Sequence, residues 1–155
     1  VTAPGVSLEP VTRENLAAVL RLAVAPGQEG FVAPNDVSVA EAYANPTWTP
    51  LAVVADGRAV GFALVGYAVE AGSWWIVRLM VDAAEQGRGH GSAALALLLD
   101  LLRGEGAGEA YITWTPDNAA AARIYRRAGF VPTGDMSAAG EVIARIDLGG
   151  DQGLT

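Results

Sequence analysis

The sequence predicts one α/β domain, a mixed and mostly antiparallel sheet flanked by helices. Three observations carry that expectation. First, 155 residues is one domain's length, enough to bury about two-thirds of the unfolded surface, and 52% hydrophobic against 17% charged residues excludes a disordered chain. Second, the middle of the chain holds strand-like runs separated by tight turns. Third, the second half alternates helical and strand patterns, the mark of crossover connections.

Element by element, Val6 to Pro10 reads as a first strand, and Thr12 as the N-cap of a helix reaching about Ala25, with Leu16, Val19, Leu20 and Ala23 on one face. Pro26-Gly27 stops it, Gln28 to Pro34 is a loop, and Ser38 to Ala44 a short helix ended before Pro46. Leu51–Ala55, Asp56-Gly57 and Ala59–Val69 form a hairpin pattern, followed by the strand Trp74–Val81. Gly89 to Arg103 is apolar nearly all round, as a helix buried on a sheet must be. Tyr111–Thr115 is a strand, Asn118–Ala128 a helix with Gly129 as C-cap, and Phe130–Met136 and Glu141–Leu148 are two final strands. The order is β-α-α-β-β-β-α-β-α-β-β over residues 1–148, with 149–155 as a flexible tail.

Charge and composition narrow the chemistry. Ten basic side chains, all arginine, face 17 acidic ones for a net charge of −7, which disfavours nucleic-acid binding. There is no cysteine and one histidine, so thiol nucleophiles and multi-histidine metal sites are excluded within the chain. No signal peptide or membrane span is visible, and a cytoplasmic protein without membrane or metal partners is expected.

The run Gln86-Gly87-Arg88-Gly89-His90-Gly91 lies between a strand and the buried helix. Glycines let backbone approach a ligand, and a helix N-terminus offers free N–H groups and positive dipole; Arg88 adds charge. Three glycines alone fit a plain turn equally well. Gly89-His90-Gly91-Ser92-Ala93-Ala94 also fits a dinucleotide pattern, but Asp82 to Arg88 separate it from its strand and Glu109 precedes the next strand, so that reading fails on context. A second constellation is Asn118, Ala121, Tyr125, Gly129 and Phe130, in which Asn118 and Tyr125 share a helix face. By itself Tyr125 reads as core filler.

Together these residues resemble the GNAT superfamily of N-acetyltransferases. Its loop motif Q/R-x-x-G-x-G/A is matched by Gln86, Gly89 and Gly91, and its motif N-x-x-A-x-x-x-Y-x-x-x-G-F by Asn118, Ala121, Tyr125, Gly129 and Phe130. Within it, the segments Gln28–Asn35 and Trp75–Asp82 look most like the bacterial spermine/spermidine (diamine) branch. The resemblance implies acetyl-CoA as donor and co-substrate. Gly87 to Ser92, including His90, would cradle its pyrophosphate beside Arg88. Leu79, Met80 and Val81 would pair with its pantetheine arm, an N–H near Met80 or Val81 polarising the thioester, and a strand bulge would open the space. Asn118 would bond the pantetheine, and Tyr125, with an ordinary pKa of about 10, would protonate the leaving thiolate. Arg123, Arg126 and Arg127 read as a solvated face rather than a 3′-phosphate site.

The acceptor implied is a small cationic amine such as a polyamine. Yet the strand position that is acidic in polyamine-acetylating relatives is Val77 here, and an acidic stretch before it is reduced to Glu70. Glu29, Glu41 and Asp82, with Asp36 and Glu85, are the acidic candidates for a base or a cation seat, while Trp48 and Trp75 are candidate acceptor-pocket walls. Two alternatives stay open: a non-catalytic acyl-CoA-binding module, and another acceptor such as an aminoglycoside or a protein N-terminus. The resemblance also allows a homodimer.

Overall fold

A computed structural model describes residues 2–3 and 5–149. Its strands are β1 (Thr2–Ala3), β2 (Val6–Pro10), β3 (Trp48–Ala55), β4 (Arg58–Ala68), β5 (Ser73–Val81), β6 (Glu109–Trp114), β7 (Val131–Met136) and β8 (Val142–Asp147). The helices are α1 (Leu16–Arg21), α2 (Asn35–Ala44), α3 (His90–Gly104) and α4 (Ala119–Ala128). One sheet runs β1-β2-β3-β4-β5-β6-β8-β7, antiparallel throughout except where β5 meets β6. The expected mixed, mostly antiparallel sheet is therefore observed. Of the tail expected over 149–155, all but Gly149 lies outside the described residues.

Most boundaries follow local chemistry. Asp56 and Gly57 both adopt positive φ (51° and 75°), the two left-handed residues that a tight hairpin turn needs between β3 and β4. Gly129 ends α4 at φ 113°, its N–H bonding the carbonyls of Arg126 and Tyr125. The first helix departs from expectation. It starts at Leu16 and stops at Arg21, and Thr12 is not its cap; instead Asn15 Oδ1 accepts the Thr12 N–H at 2.8 Å. Its end is set by tertiary bonds: Ala23 donates to Asp82 Oδ1 at 3.0 Å and accepts from the Ala83 N–H at 2.8 Å, drawing residues 22–24 out of the helix. The second helix begins three residues early because Asn35, buried, donates to Val19 O at 2.9 Å and fixes the first turn.

Helices cover both faces of the sheet. On one, Leu95, Leu98, Leu99 and Leu102 of α3 pack with Tyr125 and Phe130 on Ala63, Ile76, Ile112 and Ala144. On the other, Val19 of α1 and Val39 of α2 meet Ala52, Phe62, Leu64 and Met80. No helix among the described residues is long and apolar enough to cross a membrane.

Candidate active site

The sheet is nearly cut in two. β5 and β6 run parallel and pair only through Trp75↔Tyr111 and Ile76↔Ile112. Just beyond, the β4–β5 register slips from Val65↔Ile76 to Leu64↔Arg78, leaving Val77 as an extra residue. Such a bulge bends its strand, and from Val77 onward β5 swings away from β6. A cleft of about 760 Å³ opens there, walled by residues 76–81 of β5, residues 112–115, the loop before α3, one face of α4 and the 28–34 loop.

Among the described residues, the backbone of β5 beyond Ile76 has no partner strand on the β6 side. Asp82 donates to Val60 O at 2.8 Å across the β4 ladder. Since N–H directions alternate along a strand, Met80 also turns towards β4, while Leu79 and Val81 turn theirs into the gap. Of the three residues expected to line a pantetheine arm, Met80 thus offers no backbone group; its side chain lies on the α2 side, with Asn35 Nδ2 3.7 Å from its sulfur.

At the far end of β5, Gly89 takes φ 83° to open α3. The helical bond series begins with Ala93 N–H on Gly89 O at 3.1 Å, so the N–H groups of His90, Gly91 and Ser92 have no helical acceptor. These residues, with Gly87 and Gly89, line the cleft, which suits a phosphate group at its mouth. Gln86 is tied elsewhere: its Nε2 donates to Val81 O at 3.0 Å and to Gln28 Oε1 at 2.9 Å, binding the two loops together. Arg88 does not line the cleft; it is exposed and pairs with Glu85 at 3.3 Å. Glu85 also holds Arg58 at 2.6 Å and sits 3.7 Å from His90 Nε2.

On the other wall, Asn118 caps α4 by accepting the Ala121 N–H on Oδ1 at 3.2 Å, which leaves its Nδ2 protons for a ligand. Tyr125, two turns on, is only 8% exposed yet reaches the cleft. It packs on Trp114 with ring centroids 5.7 Å apart and on Phe130 at 6.2 Å. Burial pushes its pKa up to about 12 rather than leaving it ordinary. The phenol has no hydrogen-bond partner in the protein among the described residues.

The acidic candidates separate. Glu29 stands exposed at the cleft mouth and accepts the Gly27 N–H at 2.8 Å. Glu41 lies outside the lining and pairs with Arg78, which is inside it, at 3.3 Å. Asp82 is occupied by the Ala23 and Ala84 N–H groups. Trp48 and Trp75 do not line the cleft; Trp75 stacks on Tyr111 at 5.1 Å. Arg123, Arg126 and Arg127 are exposed, as expected of a solvated face. Sequence reasoning missed Phe31, Arg78, Thr115 and Glu141, which do line it. For Arg78 a signal existed in its place beside the bulge. Glu141 comes into reach only because β8 inserts between β6 and β7.

A split sheet, an open β5 edge and a glycine-opened helix facing one cleft are features of a coenzyme-dependent acyl-transfer fold. Residues 16–130 match the acetyltransferase (GNAT) family, and the chain belongs to that family, whose members are N-acetyltransferases using acetyl-CoA. It is 29% identical over 150 residues to the spermine/spermidine N(1)-acetyltransferase of Bacillus subtilis, covering 92% of this chain and 99% of that one. A 95-residue stretch is 43% identical to a mycothiol acetyltransferase of Clavibacter michiganensis, spanning 61% of this chain but 30% of that protein. In fold it is similar to the aminoglycoside acetyltransferase AAC(6')-Ib in complex with coenzyme A (TM-score 0.73, 21% identity, 92% and 94% of the two chains).

Proposed function

We propose that this acetyltransferase moves the acetyl group of acetyl-CoA to a primary amine of a small cationic acceptor by direct attack, with Tyr125 as the general acid. The observation that carries the reading is the meeting, in one cleft, of the β5 edge left unpaired, the N–H groups of the α3 turn without helical acceptors and a buried phenol with no hydrogen-bond partner among the described residues. Acetyl-CoA supplies an acyl group activated as a thioester. The N–H groups of Leu79 and Val81 are available to a linear, amide-bearing arm, and one of them to the thioester oxygen as it takes up charge. Gly87 and the Gly89–Ser92 turn hold the pyrophosphate, and Asn118 Nδ2 donates to the arm. Tyr125 hands its proton to the departing sulfur.

Support for a cationic acceptor comes from the net charge of −7, from carboxylates at the cleft, and from the whole-length likeness to a spermine/spermidine enzyme. Arg78 in the lining, with Val77 beside it, weighs against a long polyamine lying along β5. Two measurements test the reading together: calorimetry with acetyl-CoA, and a panel of primary amines followed by mass-spectrometric detection of acetylated product. Saturable binding and turnover of an amine are expected; absence of binding at millimolar acetyl-CoA refutes it.

A further inference from the structure

We infer that Glu141, held by Thr113, is the carboxylate that receives the acceptor's ammonium group and takes its first proton, an assignment that rests on the acetyl-transfer reading above. Among the described residues, three carboxylates line the cleft: Glu29, Glu85 and Glu141. Glu85 is saturated, with Arg58, Arg88 and His90 around it. Glu29 stands exposed at the mouth and is engaged by the Gly27 N–H. Arg78, the arginine of the lining, is met by Glu41 from outside. Glu141 differs from these. Its Oε2 accepts from Thr113 Oγ1 at 3.1 Å, a neutral donor, and among the described residues no arginine or histidine lies within salt-bridge distance of it. A half-buried carboxylate with unmet charge in a cleft wall is a seat for a cation.

Its position fits the chemistry. Neighbouring residues of a strand point to opposite faces. Trp114 of β6 packs on Tyr125 in the core beneath α3 and α4, so Thr113, and Glu141 with it, faces the side of α1 and α2. Proton acceptor and proton donor therefore stand on opposite faces of the gap, so that one can serve the entering nitrogen and the other the departing sulfur without competing for the same space. Glu141 takes one proton from R–NH₃⁺ and releases it to solvent. The freed lone pair forms the C–N bond, the C–S bond breaks, and sulfur leaves with the electron pair of the broken C–S bond and takes the Tyr125 proton. The second proton lost by nitrogen restores the phenol, so one proton is released per turnover.

Spermidine titrated into the full chain loaded with coenzyme A reads the seat by calorimetry without requiring turnover. Glu141→Gln should weaken spermidine binding at least tenfold, and Glu141→Asp by less. Thr113→Val, which frees the carboxylate without removing it, should give a smaller loss, with coenzyme A affinity unchanged in all three. Glu105→Gln, the same charge change on the exposed end of α3, should match the wild type and so separates local from net charge. Undiminished binding in Glu141→Gln, or no binding by the loaded wild type of either spermidine or the short primary amine propylamine titrated in the same way, overturns the assignment and leaves acetyl transfer standing. Failure of the wild type to bind coenzyme A or acetyl-CoA overturns both.

Discussion

Replacing Tyr125 by phenylalanine removes one oxygen from the cleft wall. That oxygen has no protein partner among the described residues, so its loss breaks no structural hydrogen bond, and the ring keeps its contacts with Trp114 and Phe130. Thermal stability should therefore hold within about 2 °C or rise slightly. The kinetic effect follows from the acid's strength. Burial puts the phenol at about 12, whereas an ordinary thiol lies near ~8.5, so complete transfer to a free thiolate is uphill by roughly 5 kcal/mol. The phenol then acts by sharing its proton while charge develops on sulfur, at the lower end of general-acid catalysis, about 100-fold or roughly 2.7 kcal/mol. Steady-state kinetics with the best amine of the panel should show kcat down by about that factor, with the acetyl-CoA Kd changed less than about twofold. A kcat within twofold of wild type removes Tyr125 from the mechanism. A large drop in Tm would show instead that the hydroxyl is structurally bonded.

The same phenol makes stability fall at high pH. Its folded pKa, about 12, lies above the ordinary 10.0, so its contribution is whole below pH ~10 and fades as pH rises towards ~12, by roughly 1.4 kcal/mol at pH ~11; urea unfolding should show this arm in wild type and lose it in Tyr125→Phe. Asn118→Asp keeps an oxygen to cap α4 but removes the Nδ2 donor, so Tm should hold while acetyl-CoA binding weakens about tenfold; unchanged binding would confine Asn118 to capping. Gly66→Ala would place a methyl 2.2 Å from Thr47 O and 2.7 Å from Trp48 Cα, backbone atoms that cannot rotate away. A loss of about 3 kcal/mol in denaturant unfolding is expected, and a loss below about 1 kcal/mol would mean that β3 yields there.

Features settled by neighbours in sequence were legible in advance. The Asp56-Gly57 turn, the Gly129 cap and the α3 helix opening at Gly89 follow from residue type and spacing, and each lies where the pattern put it. Asn118 and Tyr125 were legible because a helix brings residues seven apart onto one face. What failed depends on partners distant in the chain. Residues 22–24 read as helix until Asp82 and Ala83 compete for them. The place of β8 between β6 and β7 is a long-range choice, and with it goes the meeting of Thr113 and Glu141. The Tyr125 pKa was misjudged for a related reason, since desolvation depends on Trp114 and Phe130 closing around the ring.

Unpaired strand margins on a protein's exterior attract other polypeptides and seed aggregation. Here the unpaired stretch of β5 lies inside the sheet, in a slot closed at one end by the Trp75–Tyr111 and Ile76–Ile112 pairs and backed by α3 and α4. The adhesive character of a bare strand is thereby retained but sheltered. A thin, flexible molecule carrying its own amides can enter and complete the ladder from within the fold, so the bare stretch serves a ligand instead of lying along the outer margin of the sheet.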